Sequence, residues 1–448
     1  MTHDDPEESV WARVEELAAQ SSVLFLKKLS RNDTSWADDP SKHQAGFYIP
    51  SEVRESGFFP PLAATNPEKP HIYHSPCISF WPQTGEIKAS GMRHYSNKGP
   101  ETHFTVVPHD LFAGLSPASL LLAGRLREPL HDATHWFVVI DSTSEDAEVL
   151  ETTLNISSDF HFGLFDPAAL ATARDLAADE ASLLIDQLHH AIRNETLHEF
   201  VESVSRLPAP AAIAMAAQQA YLDSTGVASL DPYQLDAPGD AIMRISRDIE
   251  YEIFKRHELR RRASEIVNLL TRDTDMVTAV VRGFPLLDAV FLSASQQRKT
   301  RAGRSFEFHL ATTLKDAGIR FQEQAILGGR RPDFVLPDKR TLLLGEARPF
   351  VEALVLSAKT TLRERWKQIT HERFNCAIFL ATVDDRVSKQ ALDEMQVAGI
   401  GLVVPESLKS SKETFYPTHP NVMSFKRFFD DEIARTRPRF LTATRNSR

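Results

Sequence analysis

The stretch PDFVLPDKRTLLLGEARPFVEALVLSAKTTLRERWKQITHE, residues 332–372, holds two sets of side chains with the types and spacing of a phosphodiester-hydrolysing centre. Asp333 is followed thirteen positions on by Glu346 and then by Arg348. It is also followed twenty-six positions on by Lys359, within Ser357-Ala358-Lys359, and Glu372 stands thirteen beyond that. Either set offers carboxylates for a hard, oxygen-preferring cation such as Mg²⁺, and a basic group for the attacking water and the scissile phosphate. In the first set Glu346-Ala347-Arg348 would put acid and base on one face of a strand. Arginine does not deprotonate near neutral pH, however, and can act only as a clamp. In the second set Lys359 is a tunable point charge, with Ser357 where the acid of such a strand would sit.

The carboxylate missing from the second set can come from a following helix. In TTLRERWKQITHE, Leu362, Trp366 and Ile369 recur at i, i+4 and i+7, and Glu372 falls three residues later on the same side. A charge at the end of a buried stripe needs a partner, and a metal ion is a good one. Glu307 shares a face with Leu310, Ala311 and Leu314, so another helix can aim a fourth group at the same place. Spacing leaves both sets open. It also leaves the simpler readings, Asp333 as a turn residue after Pro332 and Lys359 with Glu372 as a surface ion pair.

The elements that must position these groups follow from the apolar patterning. RSFEFHLATTLKDAG (304–318) predicts an amphipathic helix closed by Gly318. RFQEQAIL, DFVL, TLLLGEA and ALVLSAK predict short strands. TTLRERWKQITHE predicts a helix, CAIFLATV a strand, SKQALDEMQVAG a helix and IGLVVP a strand. This order of helix, meandering strands, helix and strand is that of the PD-(D/E)xK nuclease core, a mixed sheet with helices on its faces. Upstream, residues 1–165 read as mostly β, with VLFLKKLS, GFYIP, ASLLLAGRL and HWFVVIDS as strands suited to a small barrel or sandwich. Asp166-Pro167 is an N-cap followed by a first-turn proline, and helix formers then run to RLPAPAA at 206–212. The expected division is 1–165, a helical linker at 166–206, and 207–448, which is helical to about 295 and α/β beyond.

At 448 residues, two or three domains are expected. No apolar run is long enough to span a membrane. The acidic start MTHDDPEESV predicts no secretory signal, and with only Cys77 and Cys376 the cytoplasm is the expected compartment. His131 and His135 are four apart but lack a third ligand. A net charge of −10 argues against indiscriminate nucleic-acid binding. Basic residues nevertheless cluster in the second half, at Arg298, Lys299, Arg301 and Arg304, again at Lys359, Arg363, Arg365 and Lys367, and in FKRHELRRRA and ARTRPRF. A solvated helix face would explain any one of these.

Taken together, RKTRAGRSFEFHL, RRPDFVLP, SAKTTLRERWKQITHE and VAGIGLVVPESL resemble the catalytic domain of EcoRII-type restriction endonucleases. The resemblance continues upstream through IEYEIFKRHEL and VVRGFPLLDAVFLSASQQRKTRAG. KKLSRNDTSWADDPSKHQAGFYIPSEV and HWFVVIDSTSEDAEVLETTL resemble that family's effector-DNA-binding domain. The implied fold is multi-domain, an N-terminal mostly-β DNA-binding pseudobarrel followed by a C-terminal α/β PD-(D/E)xK nuclease core. The family's displaced-glutamate signature falls on Pro332-Asp333, Ser357-Ala358-Lys359 and Glu372, so the resemblance selects the second set. It implies Asp333 and Glu372 as Mg²⁺ ligands, Lys359 as the group that orients and activates the water, and Glu307 as an upstream acid. Glu346 and Arg348 become strand-end residues beside the site.

By the same resemblance Arg298 and Lys299 are expected to read base edges, and Arg301, Arg304, Arg363 and Arg365 to meet the DNA backbone. Arg31, Asn32, Asp33, Thr34, His43 and Gln44 fit one DNA-contacting loop of the N-terminal domain. The second loop corresponds to ASGMRHYSNKGPETHF (89–104), shorter than in the family, with Arg93 and Lys98 its basic residues. The implied activity is Mg²⁺-dependent hydrolysis of double-stranded DNA at a CCWGG-like site, leaving 5′-phosphate ends. A homodimer, autoinhibition relieved by effector DNA, and a cognate DNA methyltransferase in the same restriction-modification system are also implied. A catalytically silent DNA-binding regulator on the same scaffold is the alternative, and a nuclease of different, methylation-sensitive specificity is a second one.

Overall fold

The structure is a computed structural model that describes residues 10–442 apart from 40–44, 65–66, 98, 100, 145, 148–149, 152–153, 155, 158, 169–177, 272–274, 327–330 and 363–373. For 10–12, 178–181 and 291–304 it describes the backbone path alone. The chain divides into two compact units. One comprises Met1–Arg174 with Asp385–Lys389 and Ser411–Pro417; the other comprises Asp175–Asp384, Gln390–Ser410 and Thr418–Arg448.

The first unit is built on a nine-stranded sheet of β1 (Ser21–Lys28), β2 (Phe47–Ile49), β3 (Ala63–Ala64), β4 (Ile72–Trp81), β5 (Glu86–Tyr95), β6 (Thr102–Thr105), β7 (Leu120–Leu130), β8 (Ala133–Ile140) and β9 (Phe162–Phe165). The spatial order is β2-β6-β5-β4-β8-β7-β1-β9, with β3 beside β4, and β4 and β8 run parallel where Ser79 faces His135. The unbroken apolar runs of β1, β7 and β8 have a physical cause, since both of their faces are buried. Phe25, Leu121, Ala123, Phe137 and Val139 enter one core with Trp36, Phe47, Trp81, Phe104 and Phe112. The alternate residues Leu24, Leu26, Leu120, Leu122, Trp136 and Val138 enter the other, closed by Val14, Leu17 and Ala18 of helix α1 (Val10–Ala19); the short helices α2 (Arg31–Asp38) and α3 (Ser51–Glu55) follow β1 and β2. At Gly124 a Cβ would stand 2.2 Å from Trp136 Nε1, so only glycine lets that indole reach Ser21 Oγ at 2.9 Å. Residues 89–104, read from the sequence as a loop, form most of a hairpin instead: β5 and β6 pair antiparallel, with Met92 opposite Phe104.

His135 is sealed into the first of these cores while His131 stands exposed in the β7–β8 turn, so the two share no site. The carbonyl of Phe58 can only accept, so His135 Nε2 carries the proton it donates there at 2.7 Å. Burial pushes the His135 pKa from 6.5 down to about 4. The native state therefore favours the neutral ring, and its stabilisation is complete above about pH 6.5 and lost as pH falls toward 4. Glu413 titrates in a separate window: burial pushes its carboxyl up, but hydrogen bonds from His161 and Ser411 carry it down to about 2. Resistance of the first unit to denaturant should thus fall between pH 6.5 and 4, and His135→Gln should flatten that slope. Equal slopes in the two proteins would show that His135 does not carry the effect.

The second unit combines a helical layer with a six-stranded sheet of β10 (Gln322–Glu323), β11 (Phe334–Leu336), β12 (Leu354–Lys359), β13 (Ala377–Thr382), β14 (Ile400–Val404) and β15 (Val422–Ser424), in that spatial order. The first three pair antiparallel and the last four parallel. The helices are α4 (Ala178–Arg193), α5 (Leu197–Val204), α6 (Pro210–Thr225), α7 (Pro238–Arg244), α8 (Glu250–Leu270) and α9 (Met276–Asp316). The helix expected at 304–318 is the last part of α9, and Gly318 follows it at φ +64°. TLLLGEA, expected as a strand, is helical. Asp338 Oδ1 accepts from Thr341 N at 2.8 Å and caps helix α10 (Lys339–Leu343), which runs on into a 3₁₀ turn at Gly345–Ala347.

Candidate active site

Asp333 sits one residue before β11, and the register of Phe334 with Leu356 places it beside the C-terminal end of β12. It is 7% exposed. Its Oδ2 accepts from the Ala358 backbone N–H at 2.8 Å and from Lys359 Nζ at 2.9 Å. The lysine side chain remains 25% exposed, so its ammonium reaches both the carboxylate and solvent. A carboxylate fixed by a backbone donor and a charged donor loses little more conformational freedom when its free lone pairs take up a ligand.

Glu307 comes to the same place from α9. Phe306, Leu310 and Leu314 are fully buried on that helix and set its rotation. A buried polar chain sets its position: Gln218 Nε2 of α6 donates to His309 Nδ1 at 2.9 Å, and His309 Nε2–H donates to Glu250 Oε2 of α8 at 2.7 Å. Two residues before His309, Glu307 Oε2 accepts from Gln324 Nε2 at 2.8 Å. The same nitrogen lies 3.4 Å from Asp333 Oδ1. One oxygen of each acid thus faces a single point, an all-oxygen donor pair that fits a hard divalent cation. Among the described residues no three His, Cys, Asp or Glu side chains converge, and Glu372, the remaining expected ligand, lies outside them.

The first set of residues does not assemble. Glu346 is in the 3₁₀ turn, and Arg348 is buried with its guanidinium committed to carbonyl oxygens of Thr341 at 2.8 Å, Pro349 at 3.2 Å and Asn375 at 2.6 Å. Arg348 therefore fastens α10 to the loop before β13 and is not a strand-end residue facing the site. Arg298, Lys299, Arg301 and Arg304 lie on α9 in the turns before Glu307, with only their backbone described. Arg363 and Arg365 lie outside the described residues. Gln324 had no signal in the sequence, because its role depends on a backbone at φ +49° and on acids nine residues after it and seventeen before it.

Of the N-terminal residues, Arg31, Asn32, Asp33 and Thr34 open helix α2 (Arg31–Asp38). Asn32 is exposed, and the Arg31 guanidinium lies 5.4 Å from the centre of the Phe415 ring. Asp33 differs from its expected place at a DNA surface. It is 1% exposed and accepts from Lys27 Nζ at 2.6 Å, Ser30 N at 2.8 Å, Ser30 Oγ at 2.7 Å and Tyr48 N at 2.7 Å. Arg93 is exposed on β5, while His43, Gln44 and Lys98 lie outside the described residues.

Residues 275–429, which contain Glu307, Asp333, Lys359 and Glu372, match the family described as EcoRII C terminal. With the two sequence similarities that follow, this match defines the class: the chain is a type II site-specific deoxyribonuclease, a phosphodiester hydrolase resembling EcoRII-type restriction endonucleases. The binding-only alternative gives way to it. The chain is similar to the type II restriction enzyme EcoRII of Escherichia coli, 28% identical over 407 residues that cover 88% of this chain and 90% of that one. It is also similar to the type II restriction enzyme SsoII of Shigella sonnei, 27% identical over 214 residues covering 43% of this chain and 68% of that one. Among solved structures, metal-depleted Ecl18kI in complex with uncleaved DNA matches with 22% identity and a TM-score of 0.43, covering 54% of this chain and 85% of that one. No helix among the described residues is long and apolar enough to cross a membrane.

Proposed function

We propose that the second unit cuts double-stranded DNA at a CCWGG-like sequence by Mg²⁺-dependent hydrolysis, with Asp333, Glu307 and Glu372 around the cation and Lys359 at the water. The observation that carries this reading is the double grip on Asp333: Lys359 holds one oxygen, and the other shares the Gln324 amide nitrogen with Glu307. Mg²⁺ held by these carboxylates would polarise the phosphate and acidify a water molecule. Lys359 orients the attacking oxygen and stabilises the negative charge that develops on the phosphate, and Asp333 keeps the ammonium in place. The basic turns of α9 and residues 363 and 365 bring DNA to the site, in-line attack leaves 5′-phosphate and 3′-hydroxyl ends, and the cognate methyltransferase protects the host's own sites.

The first unit is, on this reading, the DNA-binding pseudobarrel that inhibits cleavage until effector DNA binds it. Cutting two strands needs two such sites, hence a homodimer. An apolar stripe on α9 supports that assembly, with Val277 74%, Val281 70% and Phe284 63% exposed at helical spacing. Incubation with unmethylated phage DNA and Mg²⁺ should give discrete fragments whose ends map the target. A fragment starting at residue 175 keeps α4 and α5, whose Gln187 accepts from Arg260 of α8 at 2.8 Å, and should cleave faster than the full chain. Unchanged or slower cleavage by this fragment, once shown to be folded, would overturn autoinhibition, and a smear or intact DNA would overturn the specificity.

A further inference from the structure

We propose that Gln324 is a gatekeeper of the cation site: its carboxamide N–H₂ bridges Glu307 and Asp333 at the point where a divalent cation would be held, and so sets how tightly the cation binds. The inference rests on the reading of Asp333 and Glu307 as cation-binding acids. Gln324 Nε2 lies 2.8 Å from Glu307 Oε2 and 3.4 Å from Asp333 Oδ1. An N–H₂ group has two hydrogens, and the carboxylate oxygens can only accept, so the nitrogen end of the amide must face them. A cation drawing on these same oxygens must displace both interactions, because the nitrogen offers no lone pair. The carboxamide then has to rotate, turning its oxygen inward or leaving the cleft.

The backbone is built to hold the amide there. Gln324 N–H donates to Asp333 O at 2.9 Å, so main chain and side chain both grip the same aspartate. Its φ of +49° is uncommon for a residue other than glycine or asparagine. Such a conformation persists only where the surroundings enforce it, and it is found preferentially at functional sites. The Lys359 ammonium and the Ala358 N–H hold Oδ2, which leaves Oδ1 to Gln324. Gln324 acts through the acids and is thus a positioning residue. Removing its side chain leaves two carboxylates without their shared donor, and a cation entering the cleft no longer competes with it.

The test is Mn²⁺ binding to the full-length protein without DNA, read as loss of the free-ion electron paramagnetic resonance signal, for wild type, Gln324→Gly, Gln324→Asn and Asp333→Asn. Gly and Asn both accept the left-handed backbone, so folding is retained. Both Gln324 variants should bind Mn²⁺ about tenfold more tightly, the scale of a lost hydrogen bond to a charged group. Their melting temperature without metal should fall. A residue with only a structural role would weaken Mn²⁺ binding when removed, so equal or weaker binding by both variants overturns the proposal. Asp333→Asn separates this from the underlying reading. Loss of Mn²⁺ binding there upholds the cation site, whereas wild-type binding by Asp333→Asn would overturn the reading of the acids themselves.

Discussion

Lys359→Ala is expected to slow DNA cleavage by roughly 10²–10⁴-fold while leaving DNA binding nearly unchanged, the scale for removing one charge-stabilising or proton-handling group. The ammonium is 2.9 Å from Asp333 Oδ2 and partly exposed, so truncation removes a charge from the reaction centre without opening a cavity in the core. Lys359→Arg should recover little, since the guanidinium is planar and cannot be tuned to lose a proton. The informative control is Glu346→Gln. That carboxylate belongs to the set that does not assemble, and its variant should cleave within about twofold of wild type, since surface substitutions of this kind usually change little. Single-turnover cleavage with saturating Mg²⁺, alongside a DNA-binding titration in Ca²⁺, separates the chemical step from association. Cleavage surviving in Lys359→Ala and lost in Glu346→Gln would transfer the centre to the other set.

The second large effect is on stability. Asp33→Ala should cost the first unit about 3–5 kcal/mol, the usual penalty for removing one partner of a buried ion pair. Lys27 is buried, and burial pushes its pKa down while the charge and hydrogen bond of Asp33 push it up. Without Asp33 the Lys27 ammonium keeps the Tyr48 carbonyl at 2.8 Å and loses its anion. Asp33 also accepts from Ser30 N and Tyr48 N, so the start of α2 and the approach to β2 loosen together. Calorimetry should show a fall in melting temperature of roughly 10 °C. Lys27→Met in the same chain should recover part of it, because an apolar side chain of similar length needs no partner. Asn32→Ala, exposed one residue earlier, should leave the melting temperature alone and weaken DNA binding by the first unit. Equal melting temperatures for Asp33→Ala and Asn32→Ala would show that Asp33 is not a structural anchor.

Much of the framework is legible in the order of residues. The runs VLFL, SLLLA and WFVVI mark β1, β7 and β8, and ALVLSAK, CAIFLATV and IGLVVP mark β12, β13 and β14, because a strand buried on both faces shows no polar alternation. TLLLGEA carries as strong an apolar run yet is helical and turn-like, since the Asp338 side chain caps a helix start and leaves Leu343 and Leu344 in solvent. A local cap overrides β propensity there. Asp33 shows the reverse limit: in RNDTSWADD it looks like every other polar loop residue, and only the fold encloses it with Lys27.

By itself, then, the sequence determined the long buried strands, the last part of α9, and the acids and lysine available for chemistry, because these depend on periodicity and residue type within a few neighbours. Two things were decided by tertiary structure alone. One is which basic residue stands at Asp333: Arg348 and Lys359 are both within reach along the chain, but the β11–β12 register brings Lys359 to it and burial turns Arg348 toward backbone carbonyls. The other is the meeting of Glu307, Gln324 and Asp333. The β10–β11 hairpin brings Gln324 to Asp333, and Glu307, seventeen residues before Gln324, reaches them through the position of α9, which His309 fastens to Gln218 of α6 and Glu250 of α8.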